Sequence, residues 1–353
     1  MKKIFNLSFS LAILLASCTQ TEKVNKDFSF QTETFADLKI IRYQVPGFEK
    51  LSLQQQKLVY YLSEAGYAGR DIIWDQNYRH NLSIRRALEH IVLNFEGDQS
   101  SEDWQNFMIY TKRVWFANGI HHHYSMDKFK PDFSKEYLSS LMKASGTSLN
   151  EEAMKAIFDA DYDAKKVNLD PKKGLVLGSA VNFYAPDINE TEVDAYFASI
   201  KDNETSEPVS YGLNSKLVRG ENGIEEKVYK LDGMYGEAIA EIITWLEKAI
   251  SVAENEAQAD ALKLLVDYYK TGDLKTWDEY NIAWVNATEG DIDYINSFIE
   301  VYNDPKGYTG SFESIVEITD FEASEQMKVL SENAQWFEDN SSIMDEHKKK
   351  NIK

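Results

Sequence analysis

The fold is decided by residues 272–314, which read GDLKTWDEYNIAWVNATEGDIDYINSFIEVYNDPKGYTGSFES. Asp273 is a candidate N-cap, because its carboxylate can accept hydrogen bonds from the free N–H groups that begin a helix. Trp277, Tyr280 and Trp284 follow at spacings that place their rings on one helical face. The sequence therefore predicts a short helix whose aromatic face is directed inward.

The second half of this stretch has the pattern of a strand. Between Asp291 and Tyr302, apolar side chains alternate irregularly with polar ones. The run Asn303-Asp304-Pro305 ends the pattern, because Pro lacks the N–H that a strand ladder needs. We expect an extended segment from Asp291 to Tyr302.

Composition describes a globular, acidic chain. Its 353 residues are 43% hydrophobic and 13% aromatic, enough for a sizeable core in one large or two ordinary domains. The formal net charge of −20 repels phosphate backbones, so the sequence argues against nucleic-acid binding. Inside a cleft, the same acidity would favour cationic groups such as the ammonium ends of peptides.

The first twenty residues, MKKIFNLSFSLAILLASCTQ, have the charged start, apolar run and small residues of a secretory signal peptide. The run Leu15-Ala16-Ser17-Cys18 resembles a bacterial lipobox, and Cys18 is the chain's single cysteine. We expect a lipoprotein signal at residues 1–17, lipid on Cys18 and a polar tether at residues 18–34. The chain would then be exported and anchored to the cell envelope, on the periplasmic side. An ordinary signal peptide or a short membrane anchor is the alternative.

Residues 35–170 are predicted to form a helical subdomain. Ser52 and Gln55 form a candidate capping box, and Ser148 with Glu151 forms another. The helices expected between them span 81–95, 101–118 and 134–145, the last two stopped by Gly119 and Gly146.

Residues 171–319 combine strands with helices. Two strand-like runs, 213–219 and 224–231, flank the four-residue loop Gly220-Glu221-Asn222-Gly223. Long helices are expected at 235–253 and 254–271, with Gly272 as the stop. After Gly310 a short strand leads to a helix at 321–336, within a last segment of residues 320–353.

Two clusters resemble metal sites. In His121-His122-His123, side chains in an extended segment alternate between faces, so at most His121 and His123 could share an ion. Packing of this loop on Trp115 and Tyr124 is the alternative that we favour.

The second cluster, Asp159, Asp161 and Asp163, has the spacing that opens a calcium loop, with Asp170 at the twelfth position. Ala164 stands where the sharp turn of such a loop requires Gly, so a solvated helix end explains the acids better.

Several runs resemble the dipeptidyl-peptidase III family of zinc metallopeptidases. They are DIDYINSFIEVYNDP, with WDEY upstream, SYGLNS, YQVPGFEKLSLQQQKLVYYLSEAGYAGRDIIWDQN and RVWFANGIHHHYSMDKFKP. The resemblance implies an α+β fold, predominantly helical, with a mixed, partly barrel-like β region. Residues 171–319 would belong to the lower lobe and line its peptide cleft, and residues 320–353 would start the upper lobe.

The same resemblance implies a substrate site. Aligned backwards from Asp304-Pro305, Asp293 falls on the acid that pairs with the free amino terminus of the peptide, and Asn296 lies close by in sequence. Asp is shorter than the family's Glu. The family's oxyanion-stabilising Tyr falls beside Ile295 in this alignment, and Tyr294 is one position away. The partners implied are short peptides with a free amino terminus.

The catalytic motif of the family is absent from this sequence. That motif is His-Glu-x-x-Gly-His, but the chain's six histidines, His80, His90, His121, His122, His123 and His347, are never followed by Glu. No Gly-x-Ser-x-Gly elbow is present either. We therefore expect no catalytic residue and no zinc ligand here: the chain corresponds to the amino-terminal portion of a zinc enzyme. A catalytically inactive peptide-binding lipoprotein is the alternative, and the sequence leaves peptide preference and oligomeric state open.

Overall fold

The computed structural model describes residues 28–201 and 209–352. The chain divides into two compact units, residues 1–45 and residues 46–353. In the first unit, strand β1 (Gln31–Phe35) pairs antiparallel with β2 (Leu38–Ile41). Ala36 turns the chain between them with a φ of 47°. Cys18 and the predicted signal peptide lie outside the described residues.

The second unit begins with seven helices. They are α1 (Leu53–Ala68), α2 (Arg70–Asn77), α3 (Asn81–Asn94), α4 (Glu102–Ala117), α5 (Lys135–Ser145), α6 (Glu151–Phe158) and α7 (Glu190–Ile200). Helices α2 to α6 enclose one apolar core, which includes Tyr78, Ile84, Leu88 and Phe107. A smaller core surrounds Phe183 and Val193, where α7 begins.

The rest of this unit mixes helices and strands. Its elements are β3 (Ser215–Gly220), β4 (Gly223–Val228), α8 (Gly236–Ile250), α9 (Glu256–Thr271), α10 (Leu274–Asn286), β5 (Ile292–Phe298), β6 (Phe312–Ile318), α11 (Phe321–Glu332) and α12 (Ala334–Asp339). Helices α1, α8, α9 and α10 share the largest core with β5 and β6. Helix α1 thus joins elements almost 250 residues later in the chain.

Several predicted helix ends are confirmed. Ser52 and Gln55 form a full capping box at α1. The Asp273 side chain caps α10 by accepting from the Lys275 N–H, and Gly146 and Gly272 end α5 and α9 in the left-handed conformation. These motifs were predictable because each depends only on residues within one turn of the helix.

Three local predictions were wrong. Asn118, with a φ of 52°, takes the left-handed position that ends α4, and Gly119 follows it at 150°. Asn150 caps α6 instead of Ser148, since its amide oxygen accepts from the Ala153 N–H. The loop of the β3–β4 hairpin is two residues long, because Gly220 and Gly223 are themselves paired.

The strands form three separate two-stranded antiparallel sheets. The α+β, largely helical class is therefore confirmed, but no closed barrel forms among the described residues. The partly barrel-like region and the boundaries at residues 170 and 319 stay predictions. In the described part of the chain, no helix combines the length and apolarity that a membrane span requires.

Candidate functional site

The β5–β6 hairpin presents two different faces. Ile292, Tyr294, Asn296 and Phe298 alternate along β5, and all four are buried. Their face lies against α1, where glycines permit close approach: a Cβ on Gly66 would lie 2.5 Å from the Ser314 hydroxyl, and one on Gly69, just after α1, would lie 2.1 Å from the Phe312 ring. Asp293 belongs to the other face and is exposed, directly opposite Glu317 of β6. Burial along β5 therefore shows which side of the hairpin is open, although Ile295 and Asn296 break the apolar–polar alternation of the sequence.

Side chains of α9 cover the edge of β5 that does not pair with β6. The Gln258 side-chain amide donates to the Ile292 carbonyl at 2.9 Å, and the Tyr269 hydroxyl lies 3.2 Å from the Asn296 carbonyl. Both contacts are buried, so two backbone acceptors of an edge strand have protein partners. The strand that carries Asp293 is thereby held from both sides.

The Asp293 carboxylate is oriented by two donors. Its Oδ1 accepts from the indole Nε1–H of Trp284 at 3.0 Å and from the backbone N–H of Tyr294 at 2.7 Å. Trp284 belongs to the aromatic face of α10 predicted from the sequence, and Trp277 and Tyr280 of that face are buried. The helix and the strand thus meet at the Asp293 carboxylate.

Asp293 and Trp284 line a cleft of about 270 Å³ between the end of α10 and the β5–β6 hairpin. Three further carboxylates line it, those of Glu289, Asp291 and Glu317, and its lining includes no Lys, Arg or His. A concave site with several carboxylates and no basic side chain favours a cationic ligand over an anionic one. Such a cleft can hold an ammonium group.

Asn296 occupies a different environment from Asp293. Its side chain is 2% exposed, and its Oδ1 accepts from the Tyr269 hydroxyl at 2.7 Å. Since residues three apart on a strand point to opposite faces, the structure does not bring the two predicted side chains together. A substrate-binding role for Asn296 stays a prediction, and the observed contacts tie its side chain to α9.

Long-range polar contacts support this region, and sequence analysis missed them. The Tyr184 hydroxyl donates to the Asp304 carboxylate at 2.7 Å, and the backbone N–H groups of Tyr308 and Thr309 also donate to it. Burial raises the pKa of Asp304, and these donors oppose that shift. Gln76 is fully buried: its Oε1 accepts from the Phe312 N–H at 2.8 Å, and its Nε2 donates to the Gly310 carbonyl at 3.0 Å. The loop between β5 and β6 is therefore fixed by residues far away in sequence.

The three adjacent histidines are held mainly by aromatic and backbone contacts. His121 is buried and bonds through Nε2 to the Asp163 carbonyl at 2.7 Å, and burial lowers its pKa to about 4. His122 and His123 stack with ring centroids 4.5 Å apart, and His123 also contacts Tyr124. The structure thus shows the predicted packing on Tyr124, together with contacts to Phe116 and Phe129, while packing on Trp115 stays a prediction.

In the acidic run that resembles a calcium loop, the carboxylate of Asp163 has protein partners. The Asp163 carboxylate accepts from the Tyr78 hydroxyl at 2.7 Å and from the Arg79 guanidinium at 2.8 Å. In residues 28–201 and 209–352, no group of three or more His, Cys, Asp or Glu side chains is arranged to hold a metal ion.

Comparison with known proteins shows which folds resemble this one. Dipeptidyl-peptidase III from Caldithrix abyssi superposes with a TM-score of 0.59 at 20% identity, over 87% of this chain and 47% of that one. The enzyme from Corallococcus sp. strain EGB gives 0.54 at 15% identity, over 87% and 46%. The fold is that of a part of these peptidase structures.

Residues 187–340 match the model of peptidase family M49. Dipeptidyl peptidase 3 of Dictyostelium discoideum is 21% identical over 322 residues, and that of Homo sapiens is 21% identical over 335; each alignment covers 82% of this chain. The resemblance to the dipeptidyl-peptidase III family, predicted from the sequence, is confirmed. The chain spans about half, 45%, of the length of these relatives.

Proposed function

We propose that this chain supplies the peptide-cleft part of a zinc-dependent exopeptidase that releases dipeptides from the amino ends of peptides. The M49 match, the shared fold and the acidic cleft support the proposal. The observation that carries it is the exposed Asp293 carboxylate, held by Trp284 at the wall of that cleft. The partly barrel-like β region would then be completed by strands from outside this chain.

Asp293 would fix the position of the substrate's amino terminus. An enzyme that removes two residues at a time must fix the distance from the amino terminus to the bond that it cuts. A carboxylate that pairs with the α-ammonium group sets this distance, and the pairing is strongest when the carboxylate is already oriented. The Trp284 indole occupies one oxygen of Asp293, so the other oxygen can face the ligand.

Zinc would be needed by the complete enzyme, where it would activate the attacking water. The described residues of this chain do not offer a three-ligand set for it, and the sequence has no His-Glu-x-x-Gly-His motif. We therefore assign no catalytic residue and no zinc ligand to this chain. Its own contribution would be binding and register of the peptide.

The chain would work at the cell envelope, on the periplasmic side. Its lipobox-like run ends in Cys18, whose acylation would anchor the protein to a membrane after export.

A second function, peptide binding without catalysis, is favoured by one observation, the missing zinc motif. A peptide-binding lipoprotein could retain the acidic cleft and still use Asp293 in the same way. Only the peptidase would cleave the peptide, but both functions would require the Asp293 carboxylate.

Binding to the purified chain tests the common part of both proposals. We expect a free-amino pentapeptide to bind more tightly than its N-acetyl counterpart, and Asp293→Asn to weaken the first by about ten- to a hundredfold. This follows from the loss of a charge-assisted hydrogen bond worth about 1.5–3 kcal/mol. Asp267→Asn, an exposed acid on α9, is the matched control. Equal affinities of wild type for the two peptides would contradict the role of Asp293.

Turnover separates the two functions. The chain joined to the portion of a dipeptidyl-peptidase III relative that it does not span should cleave a dipeptidyl arylamide, and a chelator should stop it. Asp293→Asn should lower kcat/KM of that fusion with little change in stability. A folded fusion that binds free-amino peptides but never cleaves them would favour the binding protein.

A further inference from the structure

The β3–β4 hairpin places two lysines directly opposite each other. Lys216 of β3 is the register partner of Lys227 of β4, and Val218 is the partner of Glu225. Directly opposed residues of an antiparallel pair point to the same face. Like charges in such a pair repel each other and destabilise the hairpin unless a counter-charge lies between them.

A third lysine joins this face just after β4. Lys216, Lys227 and Lys230 line a groove of about 700 Å³, together with the apolar side chains of Val218, Val228 and Met234. Lys227 is exposed, and Lys216 and Lys230 are partly buried. The groove therefore has cationic groups above an apolar floor, in a chain whose acids outnumber its bases 58 to 38.

The two acids nearest these lysines in the hairpin, Glu225 and Glu226, have other contacts. Glu226 also borders the groove, but its carboxylate accepts from the Ser215 hydroxyl at 2.6 Å and from the Tyr196 hydroxyl at 3.3 Å. Glu225 lies over Gly220 near the hairpin turn: a Cβ on that glycine would be 2.3 Å from its carboxylate. Within the part of the chain that the structure describes, no salt bridge involves Lys227 or Lys230.

Lys216 differs from the other two lysines because its ammonium group has protein partners. The Lys216 ammonium group donates to the Asn182 side-chain oxygen, with Asp75 close enough to favour the charged form. Burial nevertheless lowers the pKa of Lys216 to about 8, and the charge of Lys227 acts in the same direction. An anion placed in the groove would relieve that repulsion.

We propose that the groove formed by Lys216, Lys227 and Lys230 binds an acidic peptide segment. Charge complementarity selects carboxylates, and the apolar floor of Val218, Val228 and Met234 suits the aliphatic parts of a peptide better than a small hydrated anion. This site belongs to a different hairpin from the cleft of Asp293 and recognises the opposite charge. The proposal does not depend on the proposed peptidase function.

The test uses the purified chain and the N-acetylated, fluorescein-labelled peptide Glu-Ala-Glu-Val-Glu-Ala. Acetylation removes the ammonium group, so binding at the Asp293 cleft does not contribute. We expect saturable binding at low salt, loss of binding to the matched Gln peptide, and at least about tenfold weaker binding by Lys227→Gln/Lys230→Gln, which is about 1.4 kcal/mol. The control Lys143→Gln/Lys328→Gln removes the same charge from exposed positions of α5 and α11.

Each other outcome overturns the proposal. Equal loss of binding in both double variants would mean that only net charge matters, and equal binding of the Glu and Gln peptides would mean that the lysines are not used. Complete displacement by an equal concentration of inorganic phosphate would identify a site for free phosphate. Thermal melting of both double variants separates these results from misfolding, because a variant that still unfolds cooperatively near the wild-type temperature has kept its fold.

Discussion

Replacing Gln76 should show how strongly the helical region fixes the β5–β6 hairpin. Its side-chain amide forms two hydrogen bonds with the backbone where β6 begins: the oxygen accepts from the Phe312 N–H, and the nitrogen donates to the Gly310 carbonyl. In Gln76→Ala both backbone groups would be left buried without a partner. Each unsatisfied group costs about 1–3 kcal/mol, so we expect a loss of about 2–6 kcal/mol in the free energy of unfolding.

Urea unfolding measures this loss directly, through a lower midpoint at unchanged slope. Gln54→Ala is the matched control, because Gln54 also donates to a backbone carbonyl, that of Ala253, but is exposed. It should change stability by less than about 0.5 kcal/mol. A loss below about 1 kcal/mol in Gln76→Ala would refute the reasoning, since it would mean that water replaces the amide.

The variant Gln76→Glu tests the direction in which stability changes with pH. It keeps the side chain's length but turns a carboxylate oxygen toward the Gly310 carbonyl. Because burial raises the pKa of a carboxyl group, the folded variant should hold its proton above the unfolded value of about 4.3. Relative to wild type at the same pH, the stability of the variant should then fall as the pH rises from about 4 to 7. A difference between variant and wild type that does not change with pH would contradict this.

Other residues give further predictions. Trp284→Phe should remove the indole proton that orients Asp293 and weaken binding of free-amino peptides by roughly three- to tenfold. Binding of N-acetyl peptides should not change. Loss of one indole N–H signal in the NMR spectrum of the variant assigns that signal to Trp284. His121, with a pKa lowered from 6.5 to about 4, stays neutral in the fold, so unfolding takes up a proton and stability should drop by about 2 kcal/mol between pH 7 and pH 5. His121→Asn should lose less stability than wild type between pH 7 and pH 5. If urea unfolding gives the same loss for both proteins over that range, other groups cause the drop. Cys18→Ala should abolish palmitate labelling in the native host and release the protein from membranes; an unchanged distribution between membrane and soluble fractions would exclude the anchor.

Local sequence was enough for much of the secondary structure. The caps at Ser52, Asp273 and Gly272 were predictable, because each motif is complete within a few residues. The two misplaced caps, Asn118 and Asn150, compete with nearby residues of similar propensity. A difference of one or two positions between Asn, Ser and Gly involves energies too small for a single sequence to resolve.

The site was predictable only in part. The extended pattern of residues 291–302 predicts the strand that carries Asp293, but the Trp284 contact spans a helix end and a loop. The bonds of Gln76 to Phe312 and of Tyr184 to Asp304 join residues 236 and 120 positions apart. No periodicity in the sequence encodes such pairs, because they depend on how separate elements pack together.

The pairing of α1 with late elements has a consequence for biosynthesis. Helix α1 is complete at Ala68, but its partners α8, β5 and β6 end only with Ile318. At about 5–20 residues per second, a ribosome needs roughly 12–50 s to make the intervening chain. The core of α2 to α6 can form during that time, because its residues have already been synthesised. The apolar side of α1 stays without its partners until α8, β5 and β6 have been synthesised. We therefore expect nascent chains arrested before β6 to hold a folded middle and an unpaired first helix that chaperones recognise.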